Sequence, residues 1–325
     1  MILETDSTLA VELTDSSAHR DQRDHFTIQF DMRASDGNIP LQIALQDISS
    51  SPISEHWSGL ARNQDWHEWN LFQNQNYIIA RVPTASVQSD SLDQVTEASY
   101  VALFDCMQQL DYPYLCRTWN YFPEITQVAN ATHNRYQLFC TGRSRAYQTC
   151  KQLHAQYPAA TVVGSQRDEL CIYFIASKLS GYAIENSKQV SAYNYPKKYS
   201  TDAPLFSRAF LHKTNTQTIL FISGTASIRG HTSQHEDDVC QQTSICLDNI
   251  KTLLETSHDR YGLAANQLKQ LSSLKVYLKY PHHLETVKNL IHSNCGSQLP
   301  TAYLQGHLCR DDLLVEIEAV LINNH

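Results

Sequence analysis

Apolar and polar positions follow recognisable periods along the chain, least legibly in its first ninety residues. Residues 76–83 (NYIIARVP) read as a strand, and 93–110 as a helix with Val95, Tyr100, Leu103, Phe104, Met107 and Leu110 near one face. A second helix is expected at about 144–156. The stretch 169–176 (ELCIYFIA), rich in β-branched and aromatic residues, predicts a strand. Residues 218–223 (TILFIS) form an apolar strand pattern that ends at Gly224 and gives way to a polar loop, 225–236. Val239, Thr243, Cys246, Leu247, Ile250, Leu253 and Leu254 then mark one helical face, with Asp237 or Asp238 placed to cap its free N–H groups. A strand at 274–280, a helix at 283–292 and strands at 301–308 and 313–321 complete the chain. Strand, helix, strand, helix, strand, strand predicts an α+β layer in which two helices cover one face of a mixed sheet.

Composition narrows the class. The 325 residues suggest two domains or one large one, and 42% hydrophobic content with 10% aromatic argues against disorder. With 25 Lys+Arg against 33 Asp+Glu the net charge is -8, so no global field attracts phosphate backbones and nucleic acid is not an expected partner. An anionic substrate would be held by a few local arginines. Residues 1–15 (MILETDSTLAVELTD) lack a basic, then apolar, leader pattern, and no apolar run reaches the roughly 20 residues of a membrane span. A cytoplasmic protein with no membrane partner is expected. Nine cysteines without a C-x-x-C pair read as reduced thiols rather than a disulfide or zinc framework.

The last third resembles the YjgF/RidA family through FISGTAS, QQTSICLDNIKTLL, KVYLKY and CRDDLLVEIEAV. In LVEIEA, Glu316 and Glu318 repeat with period two and so share one strand face. A longer series of segments resembles one branch of that superfamily, the chorismatases, in family order over about 200 residues. The segments are RTWNYFPEI, RYQLFCTGR, YPAAT, AIENSKQVSAYNYP, APLFSRA, FISGTASIRGH and CRDDLLVEIEA. The resemblance implies two RidA-like (chorismate-mutase-like) α+β halves, 1–185 and 186–325, with the substrate in the cleft between them.

Chorismate carries two carboxylates and an enol ether. A site for it needs arginine forks and an acid able to protonate the enol carbon. Arg143, read at the start of a helix, and Arg208 in FSRAF are candidates for the forks, and Tyr136, Tyr193 and Tyr195 offer phenolic donors. The resemblance assigns substrate binding to Tyr136, Arg143, Tyr195 and Arg208 and the acid role to Glu316. It further implies no cofactor and no metal. Burial in the cleft would keep Glu316 protonated near neutral pH. Gly224 and Cys309 match the pair associated with the 3-hydroxybenzoate-forming type. Val162 and Val163, Ser187 and Arg229 depart from the family pattern and leave 4-hydroxybenzoate, or the dihydroxycyclohexadiene, open as product.

Each residue also has a plainer reading. The arginines could form surface ion pairs. The two glutamates could line a solvated strand face, with Glu318 the better candidate for a structural hydrogen bond. The tyrosines could be packing residues, only one of Tyr193 and Tyr195 needing to face a site, and Cys309 a small buried hydrophobe. His231 and His235 beside Glu236, Asp237 and Asp238 form a metal-like pattern, but in a loop where ligand geometry is not assured. An imine deaminase of the RidA type is disfavoured because residues 299–308 (LPTAYLQGHL) lack an arginine. A non-catalytic binding module is disfavoured by Glu316 together with both arginines. Oligomeric state is open between a monomer and a trimer-like assembly.

Overall fold

The computed structural model describes residues 8–16, 25–32, 41–49, 52–87, 91–152, 156–197 and 201–325. The order expected for the C-terminal third occurs twice. The first copy runs β1 (Tyr77–Arg81), α1 (Leu92–Gln109), β2 (Tyr114–Pro123), α2 (Arg135–Thr149), β3 (Ala159–Ser165) and β4 (Glu169–Ser177). After β5 (Ala209–Lys213), the second copy runs β6 (Gln217–Ala226), α3 (Val239–Tyr261), β7 (Ser273–Leu278), α4 (Leu284–Cys295), β8 (Thr301–Gln305) and β9 (Val315–Asn324). The sheet orders correspond strand for strand, β3-β2-β4-β1 against β8-β7-β9-β6. In each, the first pair is parallel and the other two are antiparallel. The protein is thus an α+β fold of two halves, each a mixed sheet covered on one face by helices.

Alternation along the strands decides what each face meets. On β9, Val315, Ile317, Ala319 and Leu321 point at α3 and α4, packing with Leu247, Ile250, Leu253, Val287 and Ile291. On β2 and β4, Phe122, Ile172 and Phe174 do the same for α1 and α2. The opposite faces meet each other: Trp119, Tyr121 and Tyr173 from one sheet share a core with Phe221, Tyr277 and Val320 from the other. The helices are therefore outermost, and the two sheets pack face to face between them. At the seam, the β3 edge bonds directly to the second half, Gly164 N donating to the His307 carbonyl at 2.7 Å and Ala160 N to Ser223 Oγ at 2.8 Å.

Helix α2 corrects the sequence reading. It starts at Arg135, not near 144, because Asn134 and Gln137 form a capping box: Gln137 N donates to Asn134 Oδ1 at 2.9 Å, and Asn134 N to Gln137 Oε1 at 2.8 Å. Arg143 consequently lies in the helix body rather than at its start. Gly142 permits α1 to pack tightly there, since a β-carbon would stand 2.1 Å from the Asp93 carbonyl oxygen.

Near the expected division at 185/186, Tyr182–Ile184 pairs with β5 and joins the second sheet. Gln46–Asp47 joins the far edge of that sheet through β8. The N-terminal residues add a separate four-stranded sheet, in the order Ala10–Asp15, Ile53–Ser58, Phe26–Phe30, Leu41–Ile43. Its Phe26, Ile28 and Trp57 enter the core between the two large sheets. No helix among the described residues is long and apolar enough to cross a membrane.

Candidate active site

A cavity of about 270 Å³ opens at one end of the space between the two sheets. Helix α2 contributes Tyr136, the segment before β5 contributes Tyr195, Phe206 and Arg208, and β6 contributes Gly224 and Ala226. Cys309, Arg310 and Asp311 come from the loop before β9, and Glu316 from β9 itself. Six of the seven residues singled out in the sequence thus share one wall-to-wall space. Its size falls just below the roughly 300–1,000 Å³ of small-molecule pockets.

Period two on β9 turns Glu316 and Glu318 toward the opposite sheet, where their surroundings differ sharply. Glu316 is only 4% exposed, and no side chain among the described residues hydrogen-bonds its carboxyl. Burial, reinforced by the Glu318 charge and opposed by Arg117, pushes its pKa up to about 8. Glu318, deeper in, accepts from Arg117 Nη2 at 2.9 Å, Trp119 Nε1 at 2.7 Å, Thr161 Oγ1 at 2.5 Å and Tyr277 OH at 3.2 Å. Lys275 Nζ lies 2.9 Å from Oε1, the oxygen that also accepts from Trp119. Although burial opposes it, these cations hold Glu318 below the usual carboxylate range, so it is ionised.

Room for the Glu316 carboxyl comes from β6. Between Ile222 and Thr225 its pairing with β9 slips, so Ser223 and Gly224 together oppose the neighbourhood of Glu318. Gly224 N donates to Thr161 Oγ1 at 3.1 Å. Cys309 lines the same wall. Burial and the adjacent Glu316 push its thiol up to about 12, so it is a neutral apolar surface and not a nucleophile.

Arg208 is fixed by two hydrogen bonds and keeps one donor free. Its Nη2 donates to the Val190 carbonyl at 2.8 Å and to Tyr195 OH at 2.7 Å, leaving Nε without a partner. Its guanidinium stands 5.4 Å from the Tyr195 ring centre, with that of Arg310 at 5.6 Å. Of the tyrosine pair, Tyr195 faces the cavity, while Tyr193 packs on Tyr157 at 5.1 Å. The Tyr136 phenol is pushed well up by burial and stays a proton donor.

Arg143 is the predicted residue that the cavity wall does not include. It is 1% exposed, lies over the Phe139 ring at 5.0 Å, and has Nε and Nη2 unpartnered. A buried cation with free donors, on the helical face shared with Tyr136 and Cys140, is suited to a carboxylate reaching past Tyr136.

Three contributors were not singled out in the sequence. Arg310 lines the cavity and donates through Nη1 to the His231 carbonyl at 3.0 Å and to Ser233 Oγ at 3.1 Å, fastening the polar loop over the site. Its position beside Cys309 was the available signal. Thr161 and Lys275 act from other strands, and no local pattern marks them. Arg229 bonds Asp248 and Asn249 on α3 instead of facing the cavity. His231 and His235 stay in the loop, where Asp238 caps α3 by accepting from Gln241 N at 3.0 Å. No group of metal-holding side chains occurs among the described residues.

Comparison with known proteins finds related chains. Residues 55–176 match the family described as Chorismatase FkbO/Hyg5-like, N-terminal. The chain is similar to a 3-hydroxybenzoate synthase of Streptomyces hygroscopicus, 30% identical over 301 residues that make up 88% of this chain and 86% of that one. It is also similar to a chorismatase of Streptomyces rapamycinicus, 32% identical over 264 residues, or 80% of this chain and 78% of that one. A crystal structure of a chorismatase at 1.08 Å resolution superposes with a TM-score of 0.86 and 25% identity, covering 97% of this chain and 98% of that one.

Proposed function

Because the chain belongs to the chorismatase family, we propose that it converts chorismate to pyruvate and 3-hydroxybenzoate, with Glu316 as the acid. The observation that carries this reading is a carboxyl buried in the cavity wall, without a hydrogen-bond partner among the described residues and with its pKa pushed up to about 8. Such a group holds its proton at neutral pH and can deliver it to carbon.

Glu316 protonates the methylene carbon of the enolpyruvyl group, and positive charge develops on the ether carbon. The neighbouring ring hydroxyl attacks the ring carbon that bears the ether and closes an epoxide, while the bond from that carbon to the ether oxygen breaks and pyruvate leaves with that oxygen. The proton released by the hydroxyl restores the acid. The epoxide opens at the hydroxyl's original carbon, the hydrogen on the former ether carbon leaves as a proton, and protonation of the oxygen gives the aromatic acid. No water is consumed, since the atoms of pyruvate and hydroxybenzoate sum to those of chorismate. Arg208 and Tyr195 supply donors for one carboxylate. Arg143 with Tyr136 supplies them for the other. Gly224 and Cys309 present small, uncharged surfaces beside the acid, consistent with a route in which no water is positioned for attack.

The test is incubation of purified protein with chorismate, with chromatography of the aromatic product and a coupled assay for pyruvate. Equal amounts of pyruvate and 3-hydroxybenzoate are expected, with turnover abolished in Glu316→Gln. Formation of 4-hydroxybenzoate or the dihydroxycyclohexadiene would overturn the product assignment. Full turnover by Glu316→Gln would overturn the acid.

A further inference from the structure

Behind the acid lies a buried ionic cluster that the reaction as described does not use. Lys275 Nζ bonds Glu55 Oε2 at 2.6 Å and Tyr173 OH at 2.9 Å, besides lying 2.9 Å from Glu318. Arg117 Nη2 bonds Glu318 and also Thr161 Oγ1 at 2.6 Å. All four charged side chains are almost fully buried. Such a cluster costs a large desolvation energy and is weak grounds for a stabilising role. Its charge count is more informative, because two cations, Arg117 and Lys275, are matched by two carboxylates, Glu55 and Glu318. An ionised Glu316 would be a third anion with no counter-ion left for it within the cluster.

We propose that Glu318 is a positioning residue for the reaction: fixed as an anion one strand repeat behind Glu316, it keeps the proton on the acid, and through Thr161 it sets the Gly224 bulge that makes room for the acid's carboxyl. Thr161 is the link because its hydroxyl donates to Glu318 and accepts from the Gly224 amide. The N-terminal sheet has a part in this, since Glu55 on Ile53–Ser58 bonds Lys275 and balances its charge.

The groups around Glu316 define what a pH experiment reads. From the interior these are Glu318 on its own strand, Arg117 on β2, Tyr277 opposite it on β7 and the Cys246 thiol on α3. From the cavity side they are Tyr136 on α2, Tyr195 and Arg208 before β5, and Cys309, Arg310 and Asp311 in the loop before β9. Among these neighbours, Glu318 is the anion acting from the interior.

The inference rests on Glu316 being the acid. In Glu318→Gln the two cations face only Glu55, so the pull of Arg117 on Glu316 is no longer shared with a nearer anion and Glu316 ionises earlier. The alkaline limb of the pH profile of kcat/KM is expected to move down by at least about one unit, a tenfold change in the ionisation constant. Glu318→Asp, which keeps the charge, is expected to leave the limb close to wild type. A limb that stays in place in Glu318→Gln while kcat alone falls would make Glu318 merely structural and overturn the proposal. It would leave the acid assignment intact, which only full turnover in Glu316→Gln would remove. Should Glu318→Gln fail to fold, infrared titration of the intact protein decides. A carboxylic-acid band that is present at neutral pH and missing from Glu316→Gln is expected, and the absence of any such Glu316-dependent band at neutral pH would overturn the proposal.

Discussion

A β-carbon on Gly224 would stand 2.0 Å from Oε1 of Glu316 and 2.8 Å from its Cδ. Glycine at this bulge is thus a requirement of the acid's position and not of the backbone, whose φ there is ordinary. Gly224→Ala is expected to fold, with the carboxyl displaced toward the cavity. Misplacing a reacting group by about 1 Å costs on the order of a hundredfold in rate. Pyruvate release should fall by about that factor while the melting temperature changes by no more than a few degrees. Unchanged turnover would mean that Glu316 reaches the substrate from another rotamer.

An acid must carry its proton, so the direction of the pH dependence follows from the position of Glu316. Burial and the Glu318 charge, opposed by Arg117, raise its pKa to about 8. Activity should be level below that value and fall as pH rises through it. Initial rates across a buffer series at low chorismate read the free-enzyme pKa. A rate that rises through this range would identify Glu316 as a base instead.

The same shift makes a stability prediction. The carboxyl binds its proton more tightly when folded than in the unfolded chain, where its pKa is near 4.5. Its favourable contribution is therefore complete below 4.5 and is lost as pH rises through about 8. Glu316→Gln, which cannot ionise, should match wild type near pH 4.5 and exceed it above pH 8 by on the order of 5 kcal/mol. Urea unfolding at the two pH values checks this, and equal stabilities at high pH would show that the side chain finds solvent when it ionises.

How much of this was legible in the chain differs by element. The C-terminal half was readable because its strands and α3 have strong periods, and Glu316 and Glu318 announced a shared face by spacing alone. Helix α2 was misplaced because its inward stripe includes Arg143 and Gly142, which dilute the apolar period, while its real start signal, Asn134 with Gln137, is a pair of polar residues. The ionic cluster was not legible at all. Glu55, Arg117, Thr161, Lys275 and Glu318 come from five different strands, and only the packing of two sheets and the N-terminal strand brings them together. Arg310 was overlooked beside Cys309 because its anchor, the His231 carbonyl, is a backbone group.

Arg310 should act on binding. It reaches across the cavity rim to the polar loop, and its guanidinium stands 5.6 Å from the centre of the Tyr195 ring. Arg310→Ala removes a positive charge from the wall and unfastens the loop, so KM should rise by about tenfold, equivalent to ~1.4 kcal/mol, with a smaller loss in kcat. Steady-state kinetics separate the two. A fall in kcat at constant KM would instead place Arg310 on the transition state.

His212 joins the halves at a point remote from the cavity, and its titration predicts their behaviour in acid. Its Nε2 lies 3.0 Å from the Leu179 carbonyl and 2.8 Å from Ser177 Oγ, so Nε2 carries the hydrogen and Nδ1 accepts from Tyr77 OH at 2.8 Å. Tyr77 and Ser177 belong to the first half and His212 to the second. Burial lowers the His212 pKa from 6.5 to about 4, against the opposing pull of the Leu179 carbonyl. Between those values the unfolded chain takes up a proton that the folded protein refuses. The stability this group contributes is therefore full above 6.5 and declines as pH falls toward 4, by on the order of 3 kcal/mol. Below 4 both states are protonated and the decline stops. His212→Gln should be less stable than wild type at pH 7.5, because Tyr77 and Ser177 lose a well-fitted partner, yet its urea midpoint should fall less steeply between pH 6.5 and 4. Parallel slopes for the two proteins would mean that the folded state protonates His212 by opening locally at the Tyr77 contact.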